Sequence, residues 1–164
     1  MDNEMQIVAS HLASAPVDLG AIFSDLCIDY SEQYIATGES AWIERNGDRF
    51  SVVVNSSEPE ARKRFSAAHE LAHYLLHRDL MHNDGDRMMR HIDRLYGLPV
   101  DNPASPFTRQ HEVQANRLAA QIVMPGPLVR ERHSAKNDVA ALAAEFQVSK
   151  LAMEIRLKTL GLAS

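Results

Sequence analysis

The sequence lacks three features that would each indicate a particular class of protein. Its single cysteine, Cys27, cannot form an internal disulfide, and since free cysteine usually packs as a small apolar residue we expect it to be buried. No apolar run approaches the roughly 20 residues that a membrane-spanning helix needs. The first residues, "MDNEMQIVASHLASAP", are acidic where a signal peptide would be basic. We therefore expect a cytoplasmic protein that does not cross a membrane.

Positive charge is also scarce. The chain has 17 lysine and arginine residues against 22 aspartate and glutamate residues, a net charge of -5, so it offers no strong positive field to hold a phosphate backbone. Hydrophobic residues make up 45% of the sequence and charged residues 24%, as in ordinary folded domains. We expect one domain spanning residues 1–164 and no direct nucleic-acid partner, while the oligomeric state stays open.

Hydrophobic periodicity predicts an α+β fold. Helical spacing predicts a short helix over about 18–26, with Asp18 as its N-cap, and a weaker one before residue 15. Two strand-like segments then flank Asn46-Gly47, a pair that favours a type I′ turn, so residues from about 40 to 55 are predicted to form a β-hairpin. This hairpin would form a small antiparallel sheet.

The rest of the chain is predicted to be mainly helical. A long helix is predicted after a capping serine at Ser57, followed by an irregular excursion over 79–110 with one helical turn near 88–96. The segment "HEVQANRLAAQIVMP" predicts a second strong helix. Two more helical stretches follow at about 127–133 and 138–160, the latter broken near 147–149.

The segment "FSAAHELAHYLLH", residues 65–77, contains two histidines four residues apart. On a helix, His69 and His73 have Cβ atoms about 5–6 Å apart, so both rings can bind one ion at about 2.0–2.1 Å. Glu70 is rotated away from them and is placed to contact a water at the metal. Since zinc lowers the pKa of such a water to roughly 7, a carboxylate can accept its proton and pass it to a leaving amine. The pattern predicts a peptidase with Glu70 as general base.

A catalytic zinc site needs a third protein ligand. His77 lies about 12 Å along the helix axis from His69, too far to share one ion, and we expect it at the helix C-terminus, where partial positive charge is favoured. On the second helix, Glu112 lies on the apolar stripe, and Asn116 one turn later can hydrogen-bond the non-ligating nitrogen of a zinc histidine. We predict one zinc ion per chain, held by His69, His73 and Glu112. The excursion over 79–110 is the alternative source of the third ligand.

These motifs resemble those of the ImmA/IrrE family of zinc metallopeptidases. "RFSAAHELAHYLLH" and, about forty residues later, "EVQANRLAAQIVMP" carry the resemblance, which also includes "PVDLGAIFSDLCI", "VVVNSS" and "VAALAAEFQVSKLAMEIRLKTLGL". It covers most of residues 16–162. The HExxH motif of the family corresponds to His69, Glu70 and His73, and its E-x-x-A-N element to Glu112 and Asn116.

Three departures from the family pattern concern the neighbourhood of the site. Leu118 stands where the family often has phenylalanine, and Gln114 where it often has a second acidic residue. These differences change packing and charge near the predicted zinc ligands. The segment "DRMMRH" resembles the middle region of the family only loosely, so the resemblance assigns no groups on the substrate side.

The resemblance implies an intracellular protein substrate, such as a helix-turn-helix transcriptional repressor. The alternative is a non-proteolytic zinc fold that binds a DNA-binding regulator in a toxin–antitoxin-like, phage or mobile-element gene pair, although the retained Glu70 argues against it. A third reading is DNA binding by the last two helical segments. Residues 136–164 carry four basic against three acidic residues, which is little charge to hold a phosphate backbone.

Two expectations concern how a substrate would be handled. Peptide hydrolysis needs a donor that stabilises the oxyanion, and the excursion offers His91 and Tyr96 as equal candidates, with His82 as a third. A substrate held in extended form can add to the edge of a sheet. We expect Ala41–Arg45 to lie closer to an edge than Phe50–Val54, whose "VVV" is typical of a central strand.

Overall fold

Helices and strands follow one another in an α+β arrangement, as predicted. The computed structural model describes residues 2–36, 38–81, 87–90 (backbone only) and 105–162. The helices in these ranges are α1 (Asn3–Ala9), α2 (Leu19–Asp25), α3 (Glu60–His77), α4 (Arg109–Val123), α5 (Gly126–Ala135), α6 (Val139–Phe146) and α7 (Lys150–Thr159). The strands are β1 (Asp29–Gln33), β2 (Ala41–Asn46), β3 (Arg49–Asn55) and β4 (Arg87–Arg90), and a short 3-10 helix, Arg78–Leu80, follows α3.

The predicted hairpin is formed by β2 and β3, but its turn lies one residue later than predicted. Asn46 pairs with Arg49 across the two strands, so Gly47 and Asp48 make the turn. Gly47 has a φ of +62°, whereas Asp48 does not have a positive φ. A positive φ at the first turn residue alone is the pattern of a type II′ turn, which requires glycine there. The predicted type I′ turn centred on Asn46-Gly47 is therefore wrong in register and type.

The sheet is mixed rather than wholly antiparallel. Its strand order is β1-β3-β2-β4, with β1 parallel to β3 and β4 antiparallel to β2. The helical turn expected near 88–96 is wrong for residues 88–90, because β4 pairs there with a strand distant in sequence. Since β4 covers the outer side of β2, the expectation that Ala41–Arg45 lies near an edge is also wrong. Among the described strands, β1 and β4 are the outer ones of the sheet.

One large hydrophobic cluster joins the inner face of the sheet to the helices. Ile43, Val52 and Val54 contribute from the strands, and Leu71 and Phe146 from the helices. Successive residues of a strand point to opposite faces. Accordingly, a second small cluster of Ile35, Trp42 and Val53 lies on the other face of the sheet. The β3 strand is central, as its sequence predicts.

The end of α4 is held by the C-terminal helices. As predicted, the 138–160 stretch is broken, with α6 ending at Gln147 in a left-handed conformation and α7 beginning after the N-cap Ser149. From α7, the buried side chain of Arg156 donates a hydrogen bond through Nε to the carbonyl of Met124 at 2.9 Å. Met124 is the C-cap of α4, where a cation is favoured by the helix dipole. This contact fixes α4 relative to α7.

Cys27 does not pack in the core. It is exposed and has a φ of +58°, while Leu26 and Ile28 on either side are buried. The turn from α2 into β1 therefore directs its two apolar neighbours inward and the thiol outward. The expectation that Cys27 is buried was wrong. Among the helices that the structure describes, none combines the length and apolarity required to cross a membrane.

A buried asparagine, Asn55, forms hydrogen bonds that hold the segment before α3. The side-chain nitrogen of Asn55 donates to the carbonyl of Glu39 at 3.0 Å and that of Ile35 at 3.3 Å. Its side-chain oxygen accepts from the backbone N–H of Ser57 at 3.1 Å and the Ser57 hydroxyl at 2.8 Å. Ser57 therefore does not cap α3, which begins after Pro59 without a side-chain cap. Asn55 ties the chain before β2 to the chain before α3.

Replacing Asn55 by alanine should lower the free energy of unfolding by about 2–3 kcal/mol, because buried backbone groups would lose their partners. Urea denaturation of the purified variant measures this change. Asn137→Ala is the matched control, since Asn137 is exposed and should change stability by less than about 0.5 kcal/mol. Equal urea midpoints for the two variants would show that the Asn55 network does not contribute to stability.

Candidate metal centre

Small residues let α3 and α4 pack closely. Ala68 and Ala72 of α3 and Ala115 and Ala119 of α4 have no exposed surface. Alanines at a helix interface allow the two backbones to approach each other. The polar side chains beside these alanines can therefore meet across the interface.

Three side chains converge at one point between these helices. The Nε2 atoms of His69 and His73 are 3.0 Å apart. Oε2 of Glu112 lies 2.8 Å from Nε2 of His69 and 3.1 Å from Nε2 of His73. Both histidines are buried, and the Glu112 side chain is 17% exposed. The structure thus brings together the three residues predicted as zinc ligands.

The donor set fits a zinc ion. Ligand atoms about 2.0–2.1 Å from a tetrahedral zinc lie roughly 3.3 Å from one another, close to the observed separations of 2.8, 3.0 and 3.1 Å. Two imidazole nitrogens and one carboxylate oxygen are also the ligand types that zinc accepts, and three protein ligands leave a fourth position open. Among the residues that the structure describes, these three form the group able to hold a metal ion.

The site favours negative charge on Glu112. Burial by itself would raise the pKa of this carboxyl, but its close contacts with the rings of His69 and His73 hold it well below its usual range. The carboxylate therefore stays ionised. An ionised carboxylate is the form that binds a metal.

Asn116 binds the ring nitrogen of His69 that does not face His73 and Glu112. Nδ1 of His69 donates to Oδ1 of Asn116 at 2.7 Å. Since Nδ1 then carries the hydrogen, Nε2 of the neutral ring bears the lone pair that faces Glu112. This is the hydrogen bond that the spacing of Glu112 and Asn116 predicts. It gives His69 the tautomer that a metal ligand needs.

Glu70 follows His69 directly and is completely buried. It belongs to the same helical turn as His69 but is not among the three side chains that converge. This placement agrees with the expectation that Glu70 acts on a neighbouring water and not as a ligand. Its role as general base stays a prediction.

Two other histidines near the site do not join the ligand set. His111 belongs to the capping box of α4, where its Nδ1 accepts a hydrogen bond from the backbone N–H of Thr108 at 2.9 Å. His77 ends α3, as expected, but its side chain is only 6% exposed. Burial lowers the pKa of His77, although its hydrogen bond to Gln114 acts in the opposite direction. The expectation that His77 lies at the C-terminus of the helix is confirmed.

Phe107 covers one of the candidate ligands. Its ring stacks on His73, with ring centroids 4.1 Å apart and planes 8° from parallel. Sequence reasoning did not find this contact, because Phe107 lies in the segment that showed no clear periodicity. The only available signal was an aromatic residue directly before the α4 cap. Phe107 shields the His73 ring and limits its rotation.

Three residues of the segment after α3 are the candidate oxyanion donors. His91, Tyr96 and His82 all lie outside the described residues. Their proposed role therefore stays a prediction from the sequence.

Comparison with known families agrees with this geometry. The family model described as Peptidase M78, IrrE N-terminal-like domain, matches residues 31–158. The chain belongs to this family. The predicted membership of the ImmA/IrrE family is thereby confirmed. No curated protein matches the chain. Within a Peptidase M78 domain, a cluster of two histidines and a glutamate able to hold a metal is a candidate peptidase centre.

Replacing Glu112 by glutamine should sharply reduce metal content, because glutamine keeps the shape of the side chain but removes its charge. We expect about one zinc per chain in the wild type by elemental analysis and well under half of that in Glu112→Gln. Glu154→Gln, on α7, makes the same chemical change elsewhere and should hold as much zinc as the wild type. Undiminished zinc in Glu112→Gln would assign the third ligand to another residue.

Proposed function

We propose that this protein is a zinc-dependent endopeptidase that cleaves an intracellular regulatory protein, with Glu70 as its general base. One observation carries the proposal. Two imidazole nitrogens and a carboxylate oxygen converge within hydrogen-bonding distance, and a buried glutamate directly follows the first histidine. Membership of the Peptidase M78 family supports peptide hydrolysis as the chemistry.

When bound, zinc would act as a Lewis acid that polarises the scissile carbonyl and makes a water nucleophilic near neutral pH. His69, His73 and Glu112 would hold it and leave one position for substrate or water. Asn116 keeps the ring of His69 oriented through its hydrogen bond at 2.7 Å.

Glu70 handles the proton in this proposal. The attacking water gives up a proton as its oxygen bonds to the carbonyl carbon, and the Glu70 carboxylate accepts that proton. The protonated carboxyl then donates it to the amide nitrogen as the C–N bond breaks, so the products are a free carboxyl and a free amine. The burial of Glu70 keeps bulk water from competing for the proton.

The proposed substrate class rests on the resemblance to the ImmA/IrrE family, whose members often act on helix-turn-helix regulators. The surface of α7 is consistent with a protein partner and less so with DNA. Leu151 and Ile155, four residues apart on α7, are 51% and 39% exposed, while Arg156 is buried against Met124. With its arginine buried, α7 has two exposed basic side chains, Lys150 and Lys158, which is little charge to hold a phosphate backbone.

Glu70→Gln should retain zinc but cleave far more slowly, because the amide cannot accept the proton. The test incubates zinc-loaded wild type and Glu70→Gln with purified helix-turn-helix regulators from the same genome, and intact-mass spectrometry detects new termini. We expect the cleavage rate to fall by about 10²–10⁴-fold, the range for removing a catalytic proton acceptor.

Glu145→Gln on α6 is the control and should cleave at the wild-type rate. Equal cleavage by wild type and Glu70→Gln would rule out the proposed general base. A regulator that both proteins bind tightly and neither cleaves would favour the alternative function, a non-proteolytic zinc-fold partner of a DNA-binding regulator.

A further inference from the structure

A short chain of hydrogen bonds leads from the surface of α4 to the second candidate ligand. Nε2 of His77 lies 2.8 Å from Oε1 of Gln114. Nδ1 of His77 lies 3.0 Å from Nδ1 of His73. His77 therefore lies between an exposed amide and a candidate zinc ligand. Neither of these two contacts joins one member of the three-residue cluster to another.

The chemistry of these groups determines where the hydrogens lie. An amide oxygen only accepts hydrogen bonds, so Nε2 of His77 must donate to Gln114. In a neutral ring, Nδ1 of His77 then carries a lone pair and accepts. The hydrogen between the two Nδ1 atoms must consequently belong to His73. With Nδ1 protonated, the lone pair of the His73 ring is on Nε2, the atom that faces His69 and Glu112.

We propose that His77 is a positioning residue for the metal centre and that it selects the metal-binding tautomer of His73, with Gln114 setting the tautomer of His77. This inference rests on the proposed zinc site. Both candidate histidine ligands are then held in the same tautomer. Asn116 imposes this tautomer on His69 directly, whereas Gln114 imposes it on His73 through the ring of His77.

The surrounding packing makes His77 more important than Gln114. Phe107 stacks on His73 at 4.1 Å and His77 is buried, so water has little access to Nδ1 of His73 if His77 loses its acceptor. Gln114 is exposed, and water can replace its oxygen. Removal of the His77 nitrogen should therefore weaken metal binding more than removal of the Gln114 amide.

The first test determines the tautomers directly. Long-range ¹H–¹⁵N spectra of the zinc-loaded full chain, assigned with His77→Asn and Gln114→Leu, report which nitrogen of each ring carries a hydrogen. We expect hydrogen on Nδ1 of His73 and on Nε2 of His77. Hydrogen on Nδ1 of His77 would overturn the inference.

The second test measures zinc affinity by competition with a chromophoric chelator. His77→Phe keeps a ring of similar shape without an acceptor and should bind zinc about 10- to 100-fold more weakly, the range for losing an outer hydrogen bond to a metal ligand. His77→Asn places an oxygen near the position of Nδ1 and should stay within about threefold of the wild type. Gln114→Leu should show an intermediate loss.

His133→Phe, on α5, makes the same substitution away from the site and should bind zinc as the wild type does. Equal affinities of His77→Phe and His133→Phe, or no recovery in His77→Asn, would overturn the positioning role while the zinc site itself stands. Failure of the wild type to bind zinc would instead overturn the proposed function, and the inference with it.

Discussion

The candidate site depends on how closely α3 approaches α4. Alanines at the interface let the backbones come together, and this distance determines whether Glu112 can reach the two histidines of α3. Larger residues at Ala115 or Ala119 would separate the helices and move the carboxylate away from the rings. The Arg156 contact to the end of α4 and the position of α3 beside the sheet hold the same geometry from outside.

Convergence of three acceptor atoms is electrostatically unfavourable in the absence of a cation. Nε2 of each histidine presents a lone pair to an ionised carboxylate, and a buried setting strengthens their mutual repulsion. A bound cation, or a proton on one ring, offsets this cost. Hydrogen bonds at the Nδ1 atoms of the two rings keep the Nε2 lone pairs directed towards the point where the three side chains converge. The fold therefore holds these side chains in the orientation that a metal ion needs.

Local sequence patterns were sufficient for most elements and for the HExxH motif. Asp18 caps α2 as predicted, and the spacing of Glu112 and Asn116 placed both residues on one face of α4. The same reasoning failed where a partner distant in the chain decides the structure. It missed β4 because those residues are held by pairing with β2, and it misjudged Cys27 because a turn reverses the direction of one side chain.

The sequence by itself determined which residues could serve as ligands and on which helices they lie, because helical spacing is a local property. Only the tertiary structure decided that the two helices meet at those residues and that β2 is internal, because both depend on packing between distant segments. It also decided the role of His77. Spacing argued against His77 as a ligand of the same ion, but its contacts with His73 and Gln114 exist only after α3 and α4 pack together.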